Sequence, residues 1–184
     1  MKNLPFTQNL SPFTQHLLPI TLLTIYLLML VACSNDDKPE NPVDALPPIT
    51  QTGENTFACL INGKPFFSSY KRSASYSGNS FGVRGSRRDD LGLRTVSIRG
   101  LDIEPISEGT YLLQSEGNGK ISGIYLIEGG LALDAVTSDE TPGLLTITRF
   151  DLQEFIVSGT FEFTVEDDEG NVYEITDGRF DLKF

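Results

Sequence analysis

The chain of 184 residues has one histidine, His16, two cysteines, Cys33 and Cys59, and no tryptophan. Each scarcity excludes some chemistry. Two thiols cannot build a four-cysteine zinc site or a framework of several disulfides. One imidazole near the N-terminus leaves any histidine triad or histidine-rich metal site dependent on that residue alone. Positive charge is also short: 14 Lys and Arg stand against 25 Asp and Glu, a formal charge of −11. Such a surface repels nucleic acid and anionic lipid headgroups, so neither is expected as a partner. Glycine and phenylalanine are plentiful, with 17 Gly and 12 Phe, a composition that leans towards β structure.

There is one long apolar run. Residues 17–32 are apolar apart from Thr21, Thr24 and the Tyr26 hydroxyl. Sixteen residues fall short of the roughly 20 that span a bilayer as a helix and match the apolar region of a signal peptide. The run ends in Leu30-Val31-Ala32-Cys33, which resembles the lipobox of bacterial lipoproteins. The resemblance implies a diacylglycerol joined by a thioether to Cys33 and cleavage after Ala32. Residues 1–32 are then a lipoprotein signal peptide, and the membrane becomes the first partner, reached through lipid on Cys33. Buried acyl methylenes contribute about 0.8 kcal/mol each, so two or three chains anchor durably where one does not. Ser34-Asn35-Asp36-Asp37-Lys38 resembles the acidic export tag of Bacteroidota surface lipoproteins. It points to an outer-membrane location, surface-exposed rather than periplasmic. The first sixteen residues are long and weakly basic for such a leader.

Setting the boundary at Cys33 changes the chemistry of the rest. The mature chain loses His16 and Lys2 and keeps every carboxylate. Histidine triads, Cys-His nucleophiles and histidine-containing zinc sites are thereby removed. Cys59 is left without an intrachain disulfide partner and sits in an apolar stretch, where a thiol behaves as a small hydrophobe.

Residues 33–55 read as the lipidated cysteine and a flexible linker. Pro39, Pro42, Pro47 and Pro48 interrupt a polar stretch with little to bury. The domain is expected over 56–184. Thr56 to Ile61 reads as a strand ended by the turn dipeptide Asn62-Gly63, with Lys64 to Ser69 returning. Further strands are expected at 81–84, 93–99, 110–113, 123–127 and 144–150. The C-terminal hairpin is the clearest: Phe161, Phe163 and Val165 alternate with Thr160, Glu162 and Thr164, and Phe180, Leu182 and Phe184 share a face. No window of eleven residues has a helical period. The expected fold is all-β, an antiparallel β-sandwich or small barrel of about 8–10 strands.

Residues 50–64 (TQTGENTFACLINGK), together with Ile147 to Asp151 (ITRFD), Val157 to Phe163 (VSGTFEF) and Ile175 to Asp181 (ITDGRFD), resemble a family of Bacteroidota lipoproteins of unknown function. The resemblance covers both ends of the domain. It implies fold and location and carries no activity.

The remaining candidates are charged groups. Arg84, Arg87, Arg88, Arg94 and Arg99 concentrate positive charge in sixteen residues. They form a candidate patch for an anionic glycan or an envelope-protein partner, against the alternative of charge balance between neighbouring strands. Asp151, Glu162, Glu174 and Asp181 are the carboxylates a glycan-active enzyme would draw on, set against the plain reading of a solvated sheet face. Glu166 to Asn171 offers oxygen ligands without EF-hand spacing and reads as an acidic turn. Arg149 and Arg179 read as structural partners of Asp151 and of Asp177 or Asp181. The expectation is a non-enzymatic binding or accessory module with no catalytic residue, metal or cofactor. A carboxylate-dependent glycan enzyme and a purely structural envelope protein are the alternatives.

Overall fold

A computed structural model describes residues 41–90, 92–129 and 131–184. The expected signal peptide, Cys33 and the acidic stretch after it lie outside the described residues.

The described residues form eleven strands: β1 (Thr56–Ile61), β2 (Lys64–Phe67), β3 (Lys71–Ser77), β4 (Ser80–Asp89), β5 (Gly92–Leu101), β6 (Gly109–Leu113), β7 (Lys120–Gly129), β8 (Leu131–Val136), β9 (Gly143–Asp151), β10 (Ile156–Glu166) and β11 (Val172–Lys183). All belong to one sheet, ordered β2-β1-β11-β10-β9-β6-β7-β5-β4-β3, with β8 pairing with both β7 and β10. The all-β expectation holds. Two details differ from it. There are eleven strands, because the polar β3 and the short β8 carry little pattern. The sheet is mixed, because β6 meets β7 in parallel at Leu113 and Ile121.

The ends of the strand path, β2 and β3, are consecutive in the chain. Three residues, Ser68 to Tyr70, join them and span at most about 14 Å. The sheet must therefore curl until its two edges meet. Ser68 fastens the corner: its hydroxyl donates to Ser86 O and accepts from Ser86 N, both at 3.1 Å. Tyr70 N also donates to Ser86 O at 3.0 Å. The result is a barrel-like wrap.

The first hairpin follows from its turn. Asn62 and Gly63 both have positive φ, 47° and 70°, the geometry that matches the twist of paired strands. The C-terminal hairpin follows from its alternation. Phe161, Phe163 and Val165 are buried, while Glu162 and Thr164 face solvent.

Phenylalanines fill the inside of the wrap. Phe57 lies 5.3 Å from Phe161 and 6.5 Å from Phe180, centroid to centroid. Glycines on the facing strands admit these rings. Phe57 of β1 packs on Gly85 of β4, and Phe163 of β10 packs on Gly123 of β7, so closely that a Cβ on either glycine would enter the ring. One end is closed by Tyr76, Phe150 and Phe184, with Tyr76 and Phe150 at 4.9 Å. Towards the other end lie Tyr125 and Tyr173, also 4.9 Å apart, with the side chains of Arg87, Asp89 and Arg94.

Residues 41–55, expected as a flexible linker, lie against the domain as a strap. Asn41 Oδ1 accepts from Val43 N and caps a short 3-10 helix, Pro42–Ala45. Leu46 and Val43 then pack on Ala58 and Leu60. This is the outer face of β1, since Phe57 and Cys59 point inward. Burying one leucine contributes about 2 kcal/mol. Farther on, Asp181 collects the strap. Its carboxylate accepts from Thr50 Oγ1 at 2.8 Å, Thr52 N at 3.0 Å, Gly53 N at 2.8 Å and Glu54 N at 3.0 Å. Ser158 Oγ completes the set at 2.7 Å. Polar composition suggested a tether because the anchoring is mostly by hydrogen bonds, with a single buried leucine, and leaves little hydrophobic pattern.

Candidate functional site

Strand parity sorts the five arginines. Along β4, Phe81, Val83 and Gly85 are buried, so Arg87 and Asp89 share the inner side and Arg84 and Arg88 the outer. On β5 the buried Val96 and Ile98 put Arg94 on the inner side and Arg99 on the outer. Arg87 is directly opposite Arg94, and both pair with Asp89. Arg94 also lies 6.0 Å from the Phe66 ring and hydrogen-bonds Tyr125, whose phenol burial pushes up. This trio belongs to the wall of the interior. Arg88 covers the Tyr70 ring at 4.9 Å. The wrap thus does not bring all five onto one surface; Arg84 and Arg99 are the two that meet.

These two lie on a polar face made by the outer sides of β3, β4 and β5. One row across the sheet is Ser73, Arg84, Ser97, and the next is Ser75, Gly82, Arg99. Arg84 and Arg99 are diagonal neighbours, roughly 7–8 Å apart at that spacing. Arg84 Nε donates to Ser73 Oγ at 3.0 Å, and Arg99 pairs with the exposed Glu116. Because Gly82 has no side chain, a groove of about 370 Å³ opens between the serines and the arginines.

A second open face lies on β6, β9, β10 and β11, beside the strap. Leu112 pairs with Leu144, and Leu144 with Glu162; the two leucines are 52% and 40% exposed. Shallow grooves of about 270 and 310 Å³ flank Glu162, the second lined also by Ile49, Thr146, Thr160 and Arg179. Parity along β10 and β11 placed Glu162 here; the contribution of Ile49 depends on the strap and had no signal in the sequence.

The carboxylates whose acidity moves all move down. For Asp181, burial by itself would raise the pKa; the donors Glu54 N, Ser158 Oγ, Thr50 Oγ1 and Gly53 N outweigh it and hold the group at about 2. The Glu154 amide and the Arg149 guanidinium lower Asp151, the Asn171 side-chain amide lowers Asp167, and Lys120 lowers Asp139. Asp167 spends its oxygens inside its own turn, on Glu169 N, Asn171 and Tyr173 Oη. No group of three His, Cys, Asp or Glu gathers around a metal-sized space among the described residues. Arg149 pairs with Asp151 at 2.8 Å. Arg179 instead donates to the backbone carbonyls of Asp177 and Pro47, because Asp181 is occupied by the strap. Cys59 is fully buried, and burial raises its thiol far above the ordinary range.

Fold and surfaces together define a small all-β domain with a filled interior and shallow grooves on its outer faces. Residues 54–181 match the model of a domain of unknown function, DUF6252. The chain belongs to this family. No curated protein and no solved structure matches it.

Proposed function

We propose that the protein is an envelope lipoprotein, held in the outer membrane by lipid on Cys33 and displayed at the cell surface, whose β domain is a non-catalytic binding or accessory module. The observation that carries the binding role is the filled interior. Phe57, Phe161, Phe163 and Phe180 occupy the space that a ligand-carrying barrel keeps open. Binding then falls to the outer faces, where the grooves are. Asp151 and Asp181, two of the carboxylates a glycan-active enzyme would draw on, are held low by their donors, which disfavours either as the general acid of glycoside hydrolysis, a group that needs its carboxyl raised.

Leu30-Val31-Ala32-Cys33 and the acidic tag that follows support the anchor and the surface location, and the family-like motifs support a Bacteroidota source. The strap adds a distance. With the chain packed from Asn41 onward, eight residue steps separate Cys33 from the domain, a reach of about 27 Å at full extension. The module then works close to the lipid surface.

Membrane fractionation of the parent and of Cys33→Ser tests the anchor. The parent is expected with membranes and the variant in the soluble fraction. Equal membrane retention of both, at the same unprocessed size, would contradict lipidation.

A further inference from the structure

We infer that the groove between Arg84 and Arg99 binds a short acidic saccharide through its carboxylate. This rests on the domain being a binding module and names the ligand class for one of its faces. Three observations converge on the groove. The first is charge: on a chain of net charge −11, Arg84 is exposed and has no carboxylate partner among the described residues, its one recorded hydrogen bond running from Nε to Ser73 Oγ. The second is spacing. Two guanidinium groups on diagonal positions repel one another, and one carboxylate set between them relieves both and suits their forked donors. The third is the lining. Ser73, Ser75 and Ser97 point outward around the trough left by Gly82, and hydroxyls both donate to and accept from sugar hydroxyls. The outward side chains that line this groove are the three serines and two arginines, while Ile124, Leu126 and Val136 belong to the neighbouring groove across β5.

The acidity of the rest of the domain limits the length of the ligand. A long polyanion would run onto repelling surface, whereas a few residues carrying carboxylates would stay within the groove. Glu116 is the internal competitor, since its carboxylate already occupies Arg99 from an exposed position.

Isothermal titration of the detergent-solubilised full chain with tetragalacturonate, with neutral maltotetraose and a phosphoserine peptide as comparisons, tests the assignment. Tetragalacturonate is expected to bind and maltotetraose to bind far less. Arg84→Ala and Arg99→Ala should each weaken tetragalacturonate about tenfold, the loss of one charge-assisted contact, with the thermal midpoint unchanged. Glu116→Gln should strengthen it several-fold by freeing Arg99, a gain that general damage to the fold cannot mimic. Equal binding of acidic and neutral sugars, no binding of either, indifference to both arginine variants, or tighter binding of the phosphopeptide would each overturn the assignment. Fractionation of Cys33→Ser reads the anchor independently, so failure of the ligand and failure of the anchor are separate results.

Discussion

Replacing Asp181 with Asn should detach the strap, and the size of the effect should depend on pH. Asp181 is 1% exposed and takes five hydrogen bonds, four of them from residues 50–54. Asn keeps one acceptor oxygen but points an amide donor at groups that are themselves donors. The carboxylate pKa falls from 3.8 to about 2 on folding, worth at most about 2.4 kcal/mol at 1.36 kcal/mol per pH unit. Thr52 and Glu54 are exposed, so solvent screening brings a realistic figure to about 1–2 kcal/mol. A depressed pKa contributes stability that is present above the unfolded value and lost as pH falls through the folded one. The contribution should therefore be whole at pH 6, decline below about pH 4 and vanish below about pH 2. Urea melts of parent and variant between pH 6 and pH 2 measure it, with limited proteolysis reporting whether residues 46–54 become cleavable. A stability gap independent of pH across that window, or a strap equally resistant in the variant, would refute the clamp.

Three further outcomes follow from the packing. Gly85→Ala should cost about 1–3 kcal/mol in chemical denaturation, because the new methyl meets the Phe57 ring; a neutral result would mean that the core is looser than described. Phe161→Ala, at a position 3% exposed, should cost about 3–5 kcal/mol, measured in the same way, and a cost below 1 kcal/mol would contradict its place in the core. Cys59, read in the Cys33→Ser background by a colorimetric thiol reagent, should react only on unfolding; rapid stoichiometric reaction of the native protein would contradict its burial.

Much of the fold was legible where alternation is strong. The Phe161, Phe163, Val165 series and the Asn62-Gly63 turn each state their geometry locally. β3 was missed because Lys71 to Ser77 is mostly polar and has one face outside, with only Ala74 and Tyr76 packing inward. The strap was missed because its main fastening, Asp181, lies more than a hundred residues away and works through hydrogen bonds. The arginine cluster was legible as composition but not as a surface. Positions 84 and 88 against 87 already differ in parity, and applying period two to them separates Arg87 from the outer pair. The meeting of Arg84 with Arg99 depended on the β4–β5 register, which only the turn between the strands determines.

The intact mass of the protein extracted from membranes tests the proposed anchoring most directly. Residues 1–32 should be absent and Cys33 should carry a diacylglycerol, as the first residue of a chain that continues to Phe184. A mass corresponding to the full unmodified chain, or to a cleaved chain with a free Cys33 thiol, would contradict the anchor and with it the placement of the domain at the membrane surface.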